Sequence, residues 1–207
     1  MSLQPGLRER KKQRTRETIA RAAHELFAER GYHATTLPEI AEAADVSTRT
    51  IFAYFPSKED ILFSDFPVMK EALTQALAER PEGVEALETV REFILSSHNL
   101  EKSELDEQLG RCVADDPTLR SHLRARIAEL EEVIAAAIAK DIGAAEDDLR
   151  PHVVAASLTA AFIVLTERGG SKAKPQTPAQ VAAVIDPVIT FLRGGLDAVK
   201  EPRTPKR

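Results

Sequence analysis

Seven side chains within twelve residues set the chemistry this chain offers: Ser47, Thr48, Arg49, Thr50, Phe52, Tyr54 and Lys58. Hydroxyls and a guanidinium bond base edges and phosphates, aromatic rings pack on sugars and thymine methyls, and an ammonium neutralises phosphate. The groups that catalysis needs are missing. The five histidines, at 24, 33, 98, 122 and 152, show no metal-ligand spacing with one another or with Cys112. No glycine-rich phosphate loop, nucleophile elbow or paired carboxylate stands out. The set is suited to holding a polyanion, and neither an enzymatic activity nor a metal or cofactor is expected.

The flanking residues predict the elements that position it. Ile40 and Ala44 share one face of a short helix, Val46 follows a tight turn, and Ile51 and Phe55 face inward from a second short helix over 48–54. Ala41 is small enough to let the two helices cross closely. Thr36 and Glu39 have the spacing of a capping box, and Pro38 is tolerated in a first turn. Ser47 caps the second helix, Pro56 ends it, and Ser57 with Asp60 opens a further helix to about residue 79. Thr48, Arg49, Thr50, Phe52 and Tyr54 then point outward, and Lys58 with the free amides of the next helix makes a phosphate-binding point. A helical hairpin with no DNA role shares the same periodicity.

Upstream, Ile19, Ala22, Ala23, Leu26 and Phe27 stripe a helix that begins at residue 7 or 14 and ends at Arg30, with Gly31 as its left-handed cap. The whole chain carries a net charge of −5, yet residues 8–16 hold six cations and one anion. A local basic arm on an acidic body can grip phosphate while the body resists non-specific adhesion. A solvated tail is the alternative reading of such a run.

The segment FAERGYHATTLPEIAEAADVSTRTIFAYFPSKEDIL resembles the N-terminal domain of the TetR family of transcriptional repressors. The matching order is a first helix ending in ERG, a TT pair, an IAEAA helix, a VS turn, an aromatic pair and a KED helix start, over about residues 14–63. The resemblance implies that Thr36, Thr48, Arg49, Thr50, Phe52, Tyr54 and Lys58 contact operator DNA; Arg14 and Ser47 complete the expected set. It also implies an all-helical C-terminal domain with a small-molecule pocket, and a homodimer formed by the last two helices of each subunit. Two positions depart from the pattern. Asp45 stands where the turn usually carries glycine, and Phe52 stands where a tyrosine usually offers a hydroxyl.

The expected fold is all-α with about nine helices, divided into a DNA-binding domain over 1–56 and a ligand-binding and dimerisation domain over 57–207. Beyond residue 80, helical patterns cover about 84–98, 101–114, 116–142, 147–168 and 177–199. The 147–168 segment is apolar all round through VVAASLTAAFIVL, and the last helix has a broad apolar face through Val181, Val184, Ile185, Val188, Ile189 and Leu192. Such faces serve as core alone, or as core on one side and subunit interface on the other. A pocket would draw on Phe66, Met69, Phe93, Cys112, Phe162 and Leu165, with His98, Arg111, His122 and Arg126 as polar anchors.

Composition is 43% hydrophobic and 29% charged, with no uninterrupted apolar run of membrane-spanning length. The basic N-terminus lacks a signal-peptide core, and the single Cys112 forms no internal disulfide, so a cytoplasmic setting is expected. The expected function is a dimeric repressor on a near-palindromic double-stranded operator, released by a small molecule. The rival is a helical ligand-binding or interaction protein whose basic arm is only a tail.

Overall fold

The computed structural model describes residues 6–99, 104–168 and 177–200, and all regular structure among them is helical. Eleven helices follow in order: α1 Leu7–Arg30, α2 Leu37–Ala43, α3 Thr48–Tyr54, α4 Lys58–Leu62, α5 Phe66–Ala78, α6 Ala86–Asn99, α7 Glu104–Asp115, α8 Pro117–Ala128, α9 Glu131–Ile142, α10 Arg150–Arg168 and α11 Pro178–Lys200. The expected count of about nine is exceeded because two expected helices are each split.

The helix expected over 57–79 divides at Phe63, whose φ of −98° and ψ of 30° leave helical geometry. Pro67 is accommodated because it stands in the first turn of a new helix, where its missing N–H costs nothing. The helix expected over 116–142 divides at Glu129 and Leu130, whose amides bond three residues back to Arg126 and Ile127. That is a 3₁₀-type tightening at the end of α8. Leu130 is buried there, and neither glycine nor proline marks the break.

The helix starts follow the sequence closely. The Thr36–Glu39 capping box forms on α2, Ser47 accepts from the Thr50 amide on α3, and Ser57 accepts from the Asp60 amide on α4. Asp116 accepts from the amides of Thr118 and Leu119 at the start of α8, and Thr177 and Gln180 close a box on α11. Each such cap stabilises its helix by about 1 kcal/mol.

The chain forms two compact units, 1–65 with 103–119 and 66–102 with 120–207. The first holds α1 to α4 together with α7. Ile19, Ala23, Phe27, Ile40, Ile51, Phe55, Ile61 and Leu62 share one buried cluster, and Leu109, Cys112 and Val113 of α7 pack against it. The boundary expected after residue 56 would cut through this cluster, since α4 contributes Ile61 and Leu62 to it. In the second unit α10 packs on α9 and α11, and α6 packs on α11. Arg91 of α6 bonds Asp186 of α11 at 2.6 and 3.1 Å, while Arg193 of α11 reaches Glu85, just before α6, at 2.9 Å and Glu88 of α6 at 3.2 Å. Partly exposed pairs of this kind add little energy and chiefly set the register of the two helices.

By length and mean hydropathy alone, Ala179–Asp197 could cross a membrane. Within the unit it is a packed helix: Val181, Ile185, Ile189, Leu192 and Leu196 are buried, and Asp186 and Arg193 are ion-paired to α6.

Asp45, between α2 and α3, has φ of 53°, the only positive φ at a non-glycine among the described residues. Left-handed backbone costs an L-residue roughly 1–2 kcal/mol, less for aspartate, and glycine removes that cost against a larger unfolded-state entropy. Asp45→Gly is therefore expected to raise the stability of the first unit by up to about 1 kcal/mol, whereas Asp45→Val should lower it by about 1–2 kcal/mol. Urea midpoints of the three proteins check the order.

Candidate DNA-reading head

Ile40 from α2 and Ile51 from α3 are both fully buried, and Ala41 and Ala44 beside them leave room for the crossing. The turn between the helices is closed by the Val46 amide on the Ala41 carbonyl at 2.9 Å and the Asp45 amide on the Glu42 carbonyl at 3.1 Å. Burying a side chain such as Ile40, Ile51 or Phe55 contributes about 1.5–3 kcal/mol, so the angle of α3 is held by its inner face. Its outer face carries Arg49 and Phe52, both exposed.

On that outer face Arg49 is exposed and makes no ion pair or hydrogen bond among the described residues. Phe52 is 55% exposed, a large share for an aromatic ring on a well-packed helix. Thr48 and Tyr54 are half-buried. Ser47 and Thr50 are already partnered, with their hydroxyls 2.8 Å apart and the Thr50 amide 3.0 Å from the Ser47 oxygen. Thr36 donates its hydroxyl and its amide to Glu39 at 2.8 and 2.7 Å, and the hydroxyl bond is the main cause holding the Glu39 carboxyl below its ordinary range. Arg14 lies apart from these, on the exposed first half of α1.

Lys58, expected to make a phosphate-binding point with the amides of α4, is engaged by acceptors of its own unit. Its ammonium donates to the carbonyls of Tyr32 at 2.8 Å and Thr35 at 2.9 Å, and stands 4.1 Å from the centre of the Tyr32 ring. A phosphate would compete with these acceptors. Two further ties hold α1 to the reading elements, and the sequence reading did not find them. Arg16 donates to the carbonyls of Tyr54 at 3.2 Å and Ser64 at 3.4 Å and covers the Phe55 ring at 4.2 Å. His24 donates through Nε2 to the carbonyls of Ile61 and Leu62 at 3.0 and 3.2 Å. Their acceptors are main-chain carbonyls 37–38 residues away for Tyr54, Ile61 and Leu62, which leave no mark in a sequence pattern.

Tyr32, 4% exposed, sits where α1, α4 and α7 meet, and His33 next to it bonds Asp116. Burial first, and then the neighbouring Glu59 carboxylate, push the Tyr32 phenol well above its ordinary range. A raised folded-state pKa contributes stability that is fully present below the unfolded value of about 10 and declines as pH rises beyond it. Stability should therefore fall between about pH 10 and 12, and Tyr32→Phe should flatten that slope. Denaturant midpoints taken across this range measure both.

The residues expected to line a pocket are divided. Cys112 packs against the core of the first unit, and Arg111 beside it is exposed and 3.8 Å from Glu107. Phe66, Met69, Phe93 and Phe162 belong to the second unit, the first buried and the others half-buried. His122 there is exposed, and Arg126 bonds Glu129 at 3.0 Å, a carboxylate that also holds Lys70. The side chains of His98 and Leu165 lie outside the described residues. A shallow cleft in this unit is lined by Leu87, Ile138, Ile142 and Leu196 with Asp141 and Arg193, and by none of the expected pocket residues.

Residues 19–64 match the model of bacterial regulatory proteins of the tetR family, and residues 84–197 match that of the MftR C-terminal domain. The transcriptional regulator TcmR of Streptomyces glaucescens is 36% identical, over 73% of this chain and 71% of its own. The chain belongs to the TetR family. It is a DNA-binding transcriptional regulator and not an enzyme. A second relative in the family, MftR of Mycobacterium tuberculosis, is 28% identical over 70% of this chain and 75% of its own. Among solved TetR-family structures, FadR of Thermus thermophilus in complex with lauroyl-CoA is 26% identical, covers 93% of this chain and all of its own, and aligns with a TM-score of 0.57. NalD of Pseudomonas aeruginosa, at 21% identity and a TM-score of 0.62 over 86% of this chain and 96% of its own, speaks to the fold alone.

Proposed function

We propose that this regulator is a cytoplasmic homodimeric repressor of a near-palindromic operator, released by an amphipathic small molecule. The observation that carries the reading is the free outer face of α3, with Arg49 and Phe52 exposed on a helix whose inner face is locked into the core. Arg49 reads a guanine edge and Phe52 packs on a sugar or a thymine methyl. Thr36, Ser47, Thr48, Thr50 and Tyr54 bond phosphates or base edges, and Arg14 and Lys58 contribute positive charge at the rim. Two such helices, one per subunit, enter successive major grooves about one helical turn apart.

Dimerisation is supported by a second apolar face on each of the last two helices. Val184, Pro187, Phe191, Gly194 and Gly195 are exposed along α11, opposite its buried side, and Val153 and Val164 are exposed on α10. These stripes suit a self-complementary two-fold interface. An amphipathic effector is supported by the complex of FadR with lauroyl-CoA, with Phe66, Met69, Phe93 and Phe162 as apolar lining in the second unit. The chain passes between the two units three times, near residues 65, 102 and 119. An effector that binds the DNA-incompetent state better thus has several covalent routes to the head.

Selection of bound duplexes from a random pool tests the reading. A recovered two-fold symmetric site, bound less tightly when lauroyl-CoA or free fatty acids are added, supports it. Failure to bind any duplex at low salt would sink it.

A further inference from the structure

Residues 8–16 hold six cations, and one of them is committed inside the head. Arg8, Arg10, Lys11, Lys12 and Arg14 are exposed, whereas Arg16 is half-buried. Its two terminal nitrogens diverge. One donates to the Tyr54 carbonyl at 3.2 Å and the other to the Ser64 carbonyl at 3.4 Å, while the guanidinium carbon stands 4.2 Å from the centre of the Phe55 ring. The planar fork is what spans the two acceptors. An ammonium at its centre would stand roughly 1 Å farther from both, out of hydrogen-bond range.

The reading helix is short for the precision it needs. α3 has seven residues, of which Ile51 is buried, and it ends at Phe55 in extended backbone without a left-handed cap. Ile51 and Phe55 are four residues apart and so lie on nearly one line along the helix. Apolar contacts on one line fix the distance and tilt of α3 against the core, and leave roll about that line as its least resisted motion. The Ser47 cap closes on Thr50 within the first turn of α3 and does nothing against roll. Arg16 acts off the line, on a terminal carbonyl that has no helical partner. It is braced from outside α3, by its stem on α1 and by Ser64 beyond α4.

We propose that Arg16 is a positioning residue for DNA reading, a brace that sets the roll of α3 and makes no contact with DNA itself. A helix is about 10 Å across, so a roll of roughly 10° about its inner edge shifts the outer groups by about 1.7 Å. A bidentate bond from Arg49 to a base edge does not survive such a shift, because its geometry is fixed at both ends. Attraction to phosphate does survive it, since a charge acts at longer range and without a required angle. Arg16 therefore serves sequence preference and not grip. The proposal deepens the repressor reading above and rests on it.

Arg16→Lys keeps the charge and loses the fork. Titrated well below its melting midpoint, the full-length variant is expected to lose about tenfold on the selected operator and less than about twofold on a scrambled duplex. Arg16→Gln should show the same loss of preference, with the slope of log K against log salt on the scrambled duplex unchanged. A phosphate contact would instead lower that slope by about 0.9 per subunit. His24→Ala removes another brace from α1, one that ends on the Ile61 and Leu62 carbonyls of α4 and not on α3. Its preference should match the wild type even where its melting midpoint falls. An unchanged preference in Arg16→Lys, a lowered salt slope in Arg16→Gln, or an equal loss of preference in His24→Ala would each overturn the brace and leave the repressor reading standing. Absence of duplex binding by the wild type at low salt would overturn both.

Discussion

Replacing Arg49 by alanine is expected to weaken binding to the selected operator by about 1–3 kcal/mol, roughly 5- to 150-fold, and to relax its sequence preference. The side chain is exposed on α3 and has no internal partner among the described residues, so its loss should leave the melting temperature unchanged. That separates recognition from folding. Arg49→Lys keeps the charge and loses the planar fork, so it should retain non-specific affinity without restoring preference. Titrations of operator and scrambled duplex at one salt concentration decide the matter. If Arg49→Ala changes neither affinity nor preference, the outer face of α3 has been misread. Lys58 would be a poorer probe, because its ammonium also holds the carbonyls of Tyr32 and Thr35, and truncation there mixes folding with binding.

Phe191→Glu is expected to have a larger effect on DNA binding without touching DNA. Phe191 is 77% exposed on α11, on the face opposite Ile185, Ile189 and Leu192, so the substitution leaves the core of the unit intact. A buried aromatic side chain contributes among the largest apolar areas of an interface, and two-fold symmetry brings each substitution in twice. The two glutamates would add like charges to a desolvated patch. Sedimentation should show the monomer at concentrations where the wild type is a dimer. Operator affinity should fall by about 10²–10⁴-fold, since the second half-site no longer benefits from the effective concentration that linkage provides. A dimeric variant with unchanged affinity would place the subunit interface elsewhere.

The parts of this protein that were legible in advance share one property: their causes are local. Thr36 with Glu39, Ser47 with Thr50, Ser57 with Asp60 and Asp116 with its Pro117 neighbour act over three residues or fewer, and each stands at the helix start it predicts. Period 3.6 likewise marked Ile40, Ala44, Ile51 and Phe55 as one interior, and all are buried. Even the departure at Asp45 was readable through the resemblance, which usually carries glycine in that turn, and its φ is 53°.

Other features depended on where distant segments came to rest. Nothing in the composition around Glu129 and Leu130 signals a break, yet α8 ends there with Leu130 buried. Nor did periodicity show that α7 would join the head, because its apolar residues Leu109, Cys112 and Val113 suit any apolar partner. The ties from Arg16, His24 and Lys58 end on main-chain carbonyls, which every residue supplies alike. By itself, then, the sequence determined the helix starts, the interior stripes and the chemistry of the outer face of α3, since short-range sterics and hydrogen bonding act between neighbours. The tertiary structure alone decided which long side chains are committed inward and which stay free to meet DNA. That choice depends on where carbonyls from distant segments converge: among the described residues none converges on Arg49, while Arg16 and Lys58 are held.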